Sequence, residues 1–352
     1  MRKIYLIILL PLLALWSCDV HEWPETPAFV KLHLCLNYET EMTEWEFLYD
    51  GLTEEEQGFG DTYDNRCGYG KMRYVVRVYP ISAQMRTSQE HVQEFVLTKD
   101  IANGYNHEVT LDVLPGEYNI MVWSDLVQTS VDRYYYNTSN FSEISLQGDY
   151  VGNTNYRDAF RGSNNISLEV GVVETLPDTL CITMQRPLAK FEFVSADLKE
   201  FMVKEATRLS NEVYDDKVAS ADGSATRIVN IEDYRVVFYY AGFMPYAYSM
   251  HTDKPVDSKT GVIFESQIDV LNEKEASLGF DYVMVNGNRS AVAIQIGLYD
   301  KEDTRIASSN PINVPLQRNY HTIMRGSYLI EQASGGIVIN PEFDGEHNII
   351  IP

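Results

Sequence analysis

The chain has 352 residues, and 51 Asp and Glu outnumber 28 Lys and Arg, which gives a formal net charge of −23 at pH 7. Nucleic-acid binding depends on clustered basic residues that neutralise phosphates, so this composition argues against it. The length is sufficient for two domains, and the 24 tyrosines and 14 phenylalanines favour folded, β-rich structure over a disordered stalk.

The N-terminus predicts an exported protein. Two basic residues near the start precede an apolar run over residues 4–15, and Ser17 then stands directly before Cys18. This layout is typical of a secretory signal peptide, and the apolar run is shorter than the ~20 residues that span a bilayer. We therefore predict a signal peptide over residues 1–17.

The end of that segment, Leu15-Trp16-Ser17-Cys18, resembles a bacterial lipobox. The resemblance implies cleavage between Ser17 and Cys18 and attachment of a diacylglycerol, with acyl chains such as palmitate, to the Cys18 thiol. Several acyl chains anchor a protein stably, because each buried CH₂ contributes about 0.8 kcal/mol. An ordinary signal peptide with an incidental cysteine is the alternative. Residues 18–28 are acidic and contain proline, which predicts an extended tether.

Strands dominate the part of the chain that follows the tether. Apolar and polar residues alternate over residues 30–38, which predicts a half-buried strand, whereas residues 39–70 are acidic and glycine-rich and predict a long loop. The clearest hairpin turns at residues 114–117, where proline and glycine supply the bend. A first β-sandwich domain is therefore predicted over residues 29–185.

Alternation restarts after residues 185–187, which marks a predicted domain boundary. One helix is predicted over residues 196–209, and short strands follow it without any βαβ rhythm. This pattern predicts a second β-sandwich domain over residues 186–335 and a separate β-prone segment over residues 336–352. The predicted fold class is therefore all-β, with two β-sandwiches in tandem and one short helix.

Four segments together resemble the Bacteroidales fimbrillin-type proteins. Residues 184–191, MQRPLAKF, are similar to the inter-domain junction of that group, and residues 314–322, VPLQRNYHT, are similar to a strand near its C-terminal end. The hairpin at residues 114–118, with VWSD at residues 122–125, is similar to the transthyretin-like first domain. Residues 18–24, CDVHEWP, resemble the start of the minor-fimbrium (FimB-type) anchor lipoproteins.

This resemblance implies two tandem transthyretin-like β-sandwich domains and a non-enzymatic anchor or accessory subunit of a surface fimbrium that supports cell adhesion. Subunits of this group join when a strand inserts into an open groove of a neighbour, which is β-augmentation. Repeating subunits usually lose an N-terminal segment to an Arg- or Lys-specific protease, but here no Arg or Lys lies between Cys18 and Lys31. The resemblance therefore implies a retained first strand, fimbrial subunits as partners, and lipid anchoring to the outer membrane at the cell surface.

Motifs of catalysis and metal binding are not recognised in the sequence. It contains no phosphate-binding glycine loop, His-Glu-x-x-His or Gly-x-Ser-x-Gly, so no catalytic site, cofactor or metal is predicted. Residues 340–346 begin like a calcium loop, but the twelfth position is Ile351 instead of Glu, which argues against an EF-hand. Cys35, Cys67 and Cys181 leave room for at most one intramolecular disulfide.

Two tyrosine-rich groups, within residues 134–136 and 239–248, have the ring chemistry that binds sugars, with packing in strands and loops as the alternative, which is clearly preferred for the second group. Asp178-Thr179-Leu180 resembles a Bacteroidales O-glycosylation signal, with Thr179 as the acceptor. A surface glycan-binding lipoprotein of a nutrient-uptake system is therefore the alternative function, and a surface hydrolase with an unrecognised site is a third.

Overall fold

The computed structural model describes residues 29–49, 56–57, 62–64, 70–82, 87–101, 107–169, 178–215 and 229–330. Within these ranges the chain forms 24 strands, one α-helix, α1 (Leu198–Asp215), and two short 3₁₀ helices. The prediction of an all-β fold with one helix is therefore confirmed. The helix was expected at residues 196–209 and continues beyond that range.

Two facing sheets form the first sandwich. Its smaller sheet contains β1 (Val30–Tyr38), β7 (His107–Val113) and β13 (Asp178–Met184). Its larger sheet contains β5 (Lys71–Pro80), β6 (Gln93–Asp100), β8 (Gly116–Gln128), β9 (Arg133–Tyr134) and β12 (Ala159–Leu168). The strand orders are β13-β1-β7 and β12-β8-β5-β6, with β9 paired to β8. Apolar side chains of both sheets meet in one core, which includes Leu32, Leu34, Leu36, Tyr74, Val76, Ile120, Val122 and Ile182.

Two larger sheets form the second sandwich. One contains β2 (Glu41–Tyr49), β3 (Glu56–Gln57), β4 (Thr62–Asp64), β14 (Leu188–Ser195), β19 (Asp269–Val270), β20 (Ala276–Met284) and β24 (Tyr320–Gly326). The other contains β15 (Tyr234–Tyr240), β18 (Ile263–Gln267), β21 (Ser290–Asp300), β22 (Arg305–Ser308) and β23 (Ile312–Leu316). The first sheet has the order β19-β20-β14-β24-β2-β3, with β4 also on β2. The second has the order β18-β15-β21-β22, with β23 also on β21.

A four-stranded bridging sheet joins the two halves of the chain. It contains β10 (Tyr136–Asn137), β11 (Ile144–Leu146), β16 (Met244–Ser249) and β17 (Lys254–Lys259), in the order β10-β11-β16-β17. Trp123 and Tyr79, on the face of the larger first-sandwich sheet that points away from the first core, are buried in the same cluster as Phe191 and Tyr248. Because both of its faces are covered, β5 and β8 are buried almost continuously along their lengths.

The prediction of a loop over residues 39–70 is wrong for residues 41–49, which form β2. This strand pairs in parallel with β24, from Thr43 opposite Tyr320 to Tyr49 opposite Gly326. Two of the acidic residues that suggested a loop lie beside basic residues of β24, since Glu46 forms an ion pair with Arg325 and Glu44 lies beside His321. The strand therefore lies in the second sandwich although it precedes the predicted boundary in the sequence.

Candidate functional site

The first strand, β1, occupies the middle of its sheet. It pairs in parallel with β13 on one side and in antiparallel with β7 on the other. Leu32, Leu34 and Leu36 are fully buried, as the alternation predicted, whereas the Lys31 side chain is 71% exposed. Because β7 and β13 meet only through β1, removal of β1 would leave an apolar groove with unpaired backbone on both sides.

The strand that follows β1 belongs to the other sandwich. β1 ends at Tyr38 and β2 begins at Glu41, and Met42 and Trp45 of β2 are buried. The Trp45 ring lies 4.3 Å from the Tyr320 ring between centroids. The N-terminal segment, defined here as residues 30–49, therefore supplies one strand to each sandwich.

Side chains of the larger sheet cover the backbone edges of the smaller first-sandwich sheet. On β7, Lys99 Nζ donates to the Glu108 carbonyl oxygen at 2.7 Å, and Gln93 donates to another carbonyl oxygen of the same strand. On β13, Asn164 Nδ2 donates to the Cys181 carbonyl oxygen at 3.1 Å. An uncovered edge is a template for a foreign strand, so these contacts disfavour strand addition at both edges.

The two fimbrillin-like motifs meet at the junction between the sandwiches. Arg186 is fully buried, and its Nε and Nη2 donate to the two carboxylate oxygens of Asp158 at 2.8 and 2.9 Å. Its Nη1 donates to Asn319 Oδ1 at 3.0 Å and to the Glu39 carbonyl oxygen at 3.2 Å. The guanidinium also lies over the Phe160 ring. One arginine thus joins both motifs to the turn between β1 and β2.

The same motifs run side by side along β14 and β24, where Lys190 is the register partner of His321. His321 Nε2 lies 3.0 Å from Glu192 Oε2, and Ser277 Oγ donates to Glu192 Oε1. Burial alone would raise the pKa of Glu192, but the hydrogen bond and charge of His321, the Lys190 charge and the Ser277 hydrogen bond lower it to about 2. Glu192 is therefore a carboxylate at neutral pH and stabilises the sheet as an anion.

A second buried ion pair lies nearby, between Arg157 and Asp281. The Tyr240 hydroxyl donates to Asp281 Oδ2 at 2.7 Å, and the Tyr150 hydroxyl donates to the same oxygen. Burial and the adjacent Asp281 carboxylate raise the pKa of both tyrosines well above the usual value, so both stay protonated donors. Arg157 and Asp281 are almost inaccessible to solvent, so this cluster offers a substrate no approach and serves structure.

Of the predicted site residues, Thr179 lies in the described part of the chain. It is on β13, with its side chain exposed, directly opposite His33 of β1. Ser17, Cys18, Cys67 and the residues of the calcium-like loop lie outside the described residues. The described residues contain no helix that is long and apolar enough to cross a membrane. They also contain no group of three or more His, Cys, Asp or Glu arranged to hold a metal ion.

The tyrosine-rich groups are mainly packing residues. Tyr135 and Tyr136 of the first group and Tyr240 and Tyr248 of the second are buried in the core cluster. The exposed ring of the second group is Phe243, which is 52% exposed. These rings therefore do not form the flat, open platform on which a sugar ring stacks.

Three aspartates that organise the junction were not predicted from the sequence. Asp158 and Asp281 hold the buried arginines, and Asp253 Oδ2 lies 2.9 Å from Arg318 Nη1 of the C-terminal motif. A buried arginine requires an acidic partner, so Arg186 and Arg318 of the two motifs were the available signal for Asp158 and Asp253. The sequence offers 51 acidic residues and no rule that selects these three.

Comparisons with known proteins extend over most of the chain. The model of a family of unknown function, DUF6562, matches residues 27–352. No curated protein matches. A proposed adhesin from Bacteroides ovatus is 12% identical, with a TM-score of 0.40, over 83% of this chain and 80% of the other. The fimbrial anchor protein Mfa2 from Porphyromonas gingivalis is 9% identical, with a TM-score of 0.38, over 79% and 81%. A proposed polysaccharide-binding protein from Bacteroides thetaiotaomicron is 13% identical, with a TM-score of 0.40, over 79% of each chain.

Proposed function

The chain belongs to the DUF6562 family, a family of unknown function, and we propose that it is a cell-surface anchor or accessory subunit of a fimbrium that supports adhesion. The observation that carries this proposal is the N-terminal segment, which completes both sandwiches with strands of the same chain. A repeating subunit that accepts a neighbour's strand needs an open groove. A chain whose sheets are filled by its own strands suits one end of a polymer better than its shaft.

Retention of that segment is consistent with the sequence before it. The first Arg or Lys after Cys18 is Lys31, which lies inside β1 and pairs opposite Asp112 of β7. A protease with that specificity would have to cut within a paired strand. The N-terminal segment therefore stays joined to the predicted tether and to the lipid predicted on Cys18, which would hold the sandwiches at the outer membrane.

Association with other subunits then requires a donor strand. The segment over residues 336–352 is β-prone at both ends, with Ile337-Val338-Ile339 and Ile349-Ile350-Ile351, and is the candidate for insertion into a neighbour. Thr179, exposed on β13, is the candidate O-glycosylation acceptor on the outer face of the first sandwich. A glycan at that position would project away from the core and would not disturb the groove that β1 fills.

Isolation of fimbriae from the native cells tests the function. We expect the chain to copurify with sheared fimbriae and to show no shift in polysaccharide gels. Absence from fimbriae together with retarded migration in a polysaccharide gel would overturn the fimbrial role and support the glycan-binding lipoprotein of a nutrient-uptake system.

A further inference from the structure

Two cysteines face each other across the pairing of β1 and β13. Cys35 is the direct register partner of Cys181 in this parallel ladder. Their chain neighbours are buried in the first-sandwich core, namely Leu34, Leu36, Leu180 and Ile182. Because side chains alternate between the faces of a strand, both thiols lie on the opposite, outer face of the sheet. Cys181 is exposed and Cys35 is partly exposed, and neither is bridged.

The separation of the strands suits a covalent bond between these residues. Neighbouring strands lie about 4.7–4.9 Å apart, and disulfides join Cα atoms that are about 4.4–6.8 Å apart. The closeness of the two thiols also affects their chemistry, since a hydrogen bond with Cys181 raises the pKa of the Cys35 thiol. Cys35 Sγ also lies 3.5 Å from Asn37 Oδ1 on the same strand.

We propose that Cys35 and Cys181 form a disulfide that ties β1 to β13 after export. A thiolate of the pair attacks the disulfide of an oxidant, which is a thiol-disulfide exchange protein or a small-molecule disulfide, and forms a mixed disulfide. The second thiolate then displaces the oxidant's remaining sulfur. The two cysteines lose two protons and two electrons, one sulfur–sulfur bond forms, and the oxidant leaves as two thiols.

The bond would fix the strand that closes the first sandwich. β1 fills the slot between β7 and β13, and the disulfide would hold it there even if the main chain were cut on either side. The groove of the first sandwich would then stay closed to a neighbour's strand. This inference rests on the proposed function in one respect, since the chain must reach an oxidising compartment.

The test uses purified full-length chain with Cys18→Ala and Cys67→Ser, so that only the proposed pair remains. After oxidation with oxidised glutathione, mass spectrometry should find the peptides of Cys35 and Cys181 cross-linked within monomers. The melting temperature should rise by roughly 5 °C and return on addition of reductant. Matched variants that also carry Cys35→Ser or Cys181→Ser should show neither the cross-link nor the rise.

Glutathione adducts on both cysteines without a cross-link, or cross-links between molecules, would overturn the inference. The outcome is separable from the proposed function, because the cross-link is measured on isolated protein. A cross-link in a chain that is absent from fimbriae would contradict only the fimbrial role. Association with fimbriae without the cross-link, in protein taken directly from the cell envelope, would contradict only the disulfide.

Discussion

At the residue scale, β1 has one face buried in the first-sandwich core and one face exposed to solvent. We expect Leu32→Asp or Leu34→Asp to unfold the first sandwich, because both positions are fully buried. An unpaired buried charge costs several kcal/mol, which is comparable to a whole domain stability of ~5–15 kcal/mol. Lys31→Asp is the matched control, since it changes an exposed side chain in a surface ion pair. Thermal melts of the three variants test this expectation. Equal melting temperatures for Leu32→Asp, Leu34→Asp and Lys31→Asp would contradict the placement of β1.

Glu192 should make the second sandwich sensitive to acid. Its pKa is about 2 in the folded chain, against a usual value of 4.5, so the folded state holds its proton less tightly than the unfolded state. Its contribution, on the order of 3 kcal/mol, is complete above about pH 4.5 and disappears as the pH falls toward 2. Glu192→Gln should therefore lower stability at pH 7 and flatten the fall below pH 4.5.

Urea unfolding at pH 7, 4 and 3 measures this effect, with Glu117→Gln as the control because Glu117 is an exposed strand residue. The control should follow the wild type at each pH. If Glu192→Gln and the control have the same unfolding free energy at pH 7, the buried contacts with His321 do not stabilise the fold.

Sequence reasoning identified some of the residues that organise the junction and missed their partners. Arg186 and Asn319 stood in segments that resembled a known junction, and the two side chains do contact each other. Asp158, which accepts hydrogen bonds from Arg186, carried no signal, because the choice of partner depends on how β12 folds back beside the junction. Local patterns predict which residues are constrained, whereas tertiary packing selects the residues that meet them.

At the scale of elements, the strands with clear alternation were predicted and those with mixed patterns were not. β1 and the turn between β7 and β8 were expected where the structure has them. The predicted hairpin is wrong, however, because β7 and β8 pair in different sheets. β2 was predicted as loop because residues 39–70 are acidic and glycine-rich, although Trp45 and Phe47 keep a period of two. β12 has the sequence AFRGSNNISL, whose polar and glycine content resembles a loop until its partner β8 is known.

The C-terminal segment should serve assembly more than folding. Deletion of residues 336–352 should leave the melting temperature unchanged, because the segment follows Gly335-Gly336 and can move independently of the chain before it. The truncated chain should no longer associate with fimbriae in pull-downs. If the deletion lowers the melting temperature sharply, the segment belongs to the second sandwich of its own chain and is not a donor strand.

At the scale of the whole molecule, the all-β class of fold was predictable from the sequence. The contacts that join the two sandwiches were not. Apolar periodicity gave many strands, one helix and two sandwiches. The bridging sheet pairs Ile144 with Tyr248, and Trp123 packs against the Tyr248 ring. Such contacts join segments that are far apart in the chain, so no local pattern predicts the continuous core that links the two sandwiches.

The lipid anchor is a property of the whole chain and has its own test. Cys18→Ala should release the protein from membranes and abolish its labelling when cells are fed a clickable fatty acid. Ser17→Ala is the control, because a small residue before the cysteine preserves the predicted cleavage site. Equal incorporation of the fatty acid into the wild type and Cys18→Ala would show that Cys18 is not the lipidated residue.

Locating the chain on the fimbrium tests most directly the claim that it is an anchor or accessory subunit at one end of the polymer. Because both sandwiches are filled by strands of the same chain, the chain should occupy a single place and should not repeat along the polymer. Immunogold labelling of isolated fimbriae should therefore place this chain at one end of each filament. Gold particles at regular intervals along the shaft, or filaments without any label, would contradict an end-located anchor or accessory subunit.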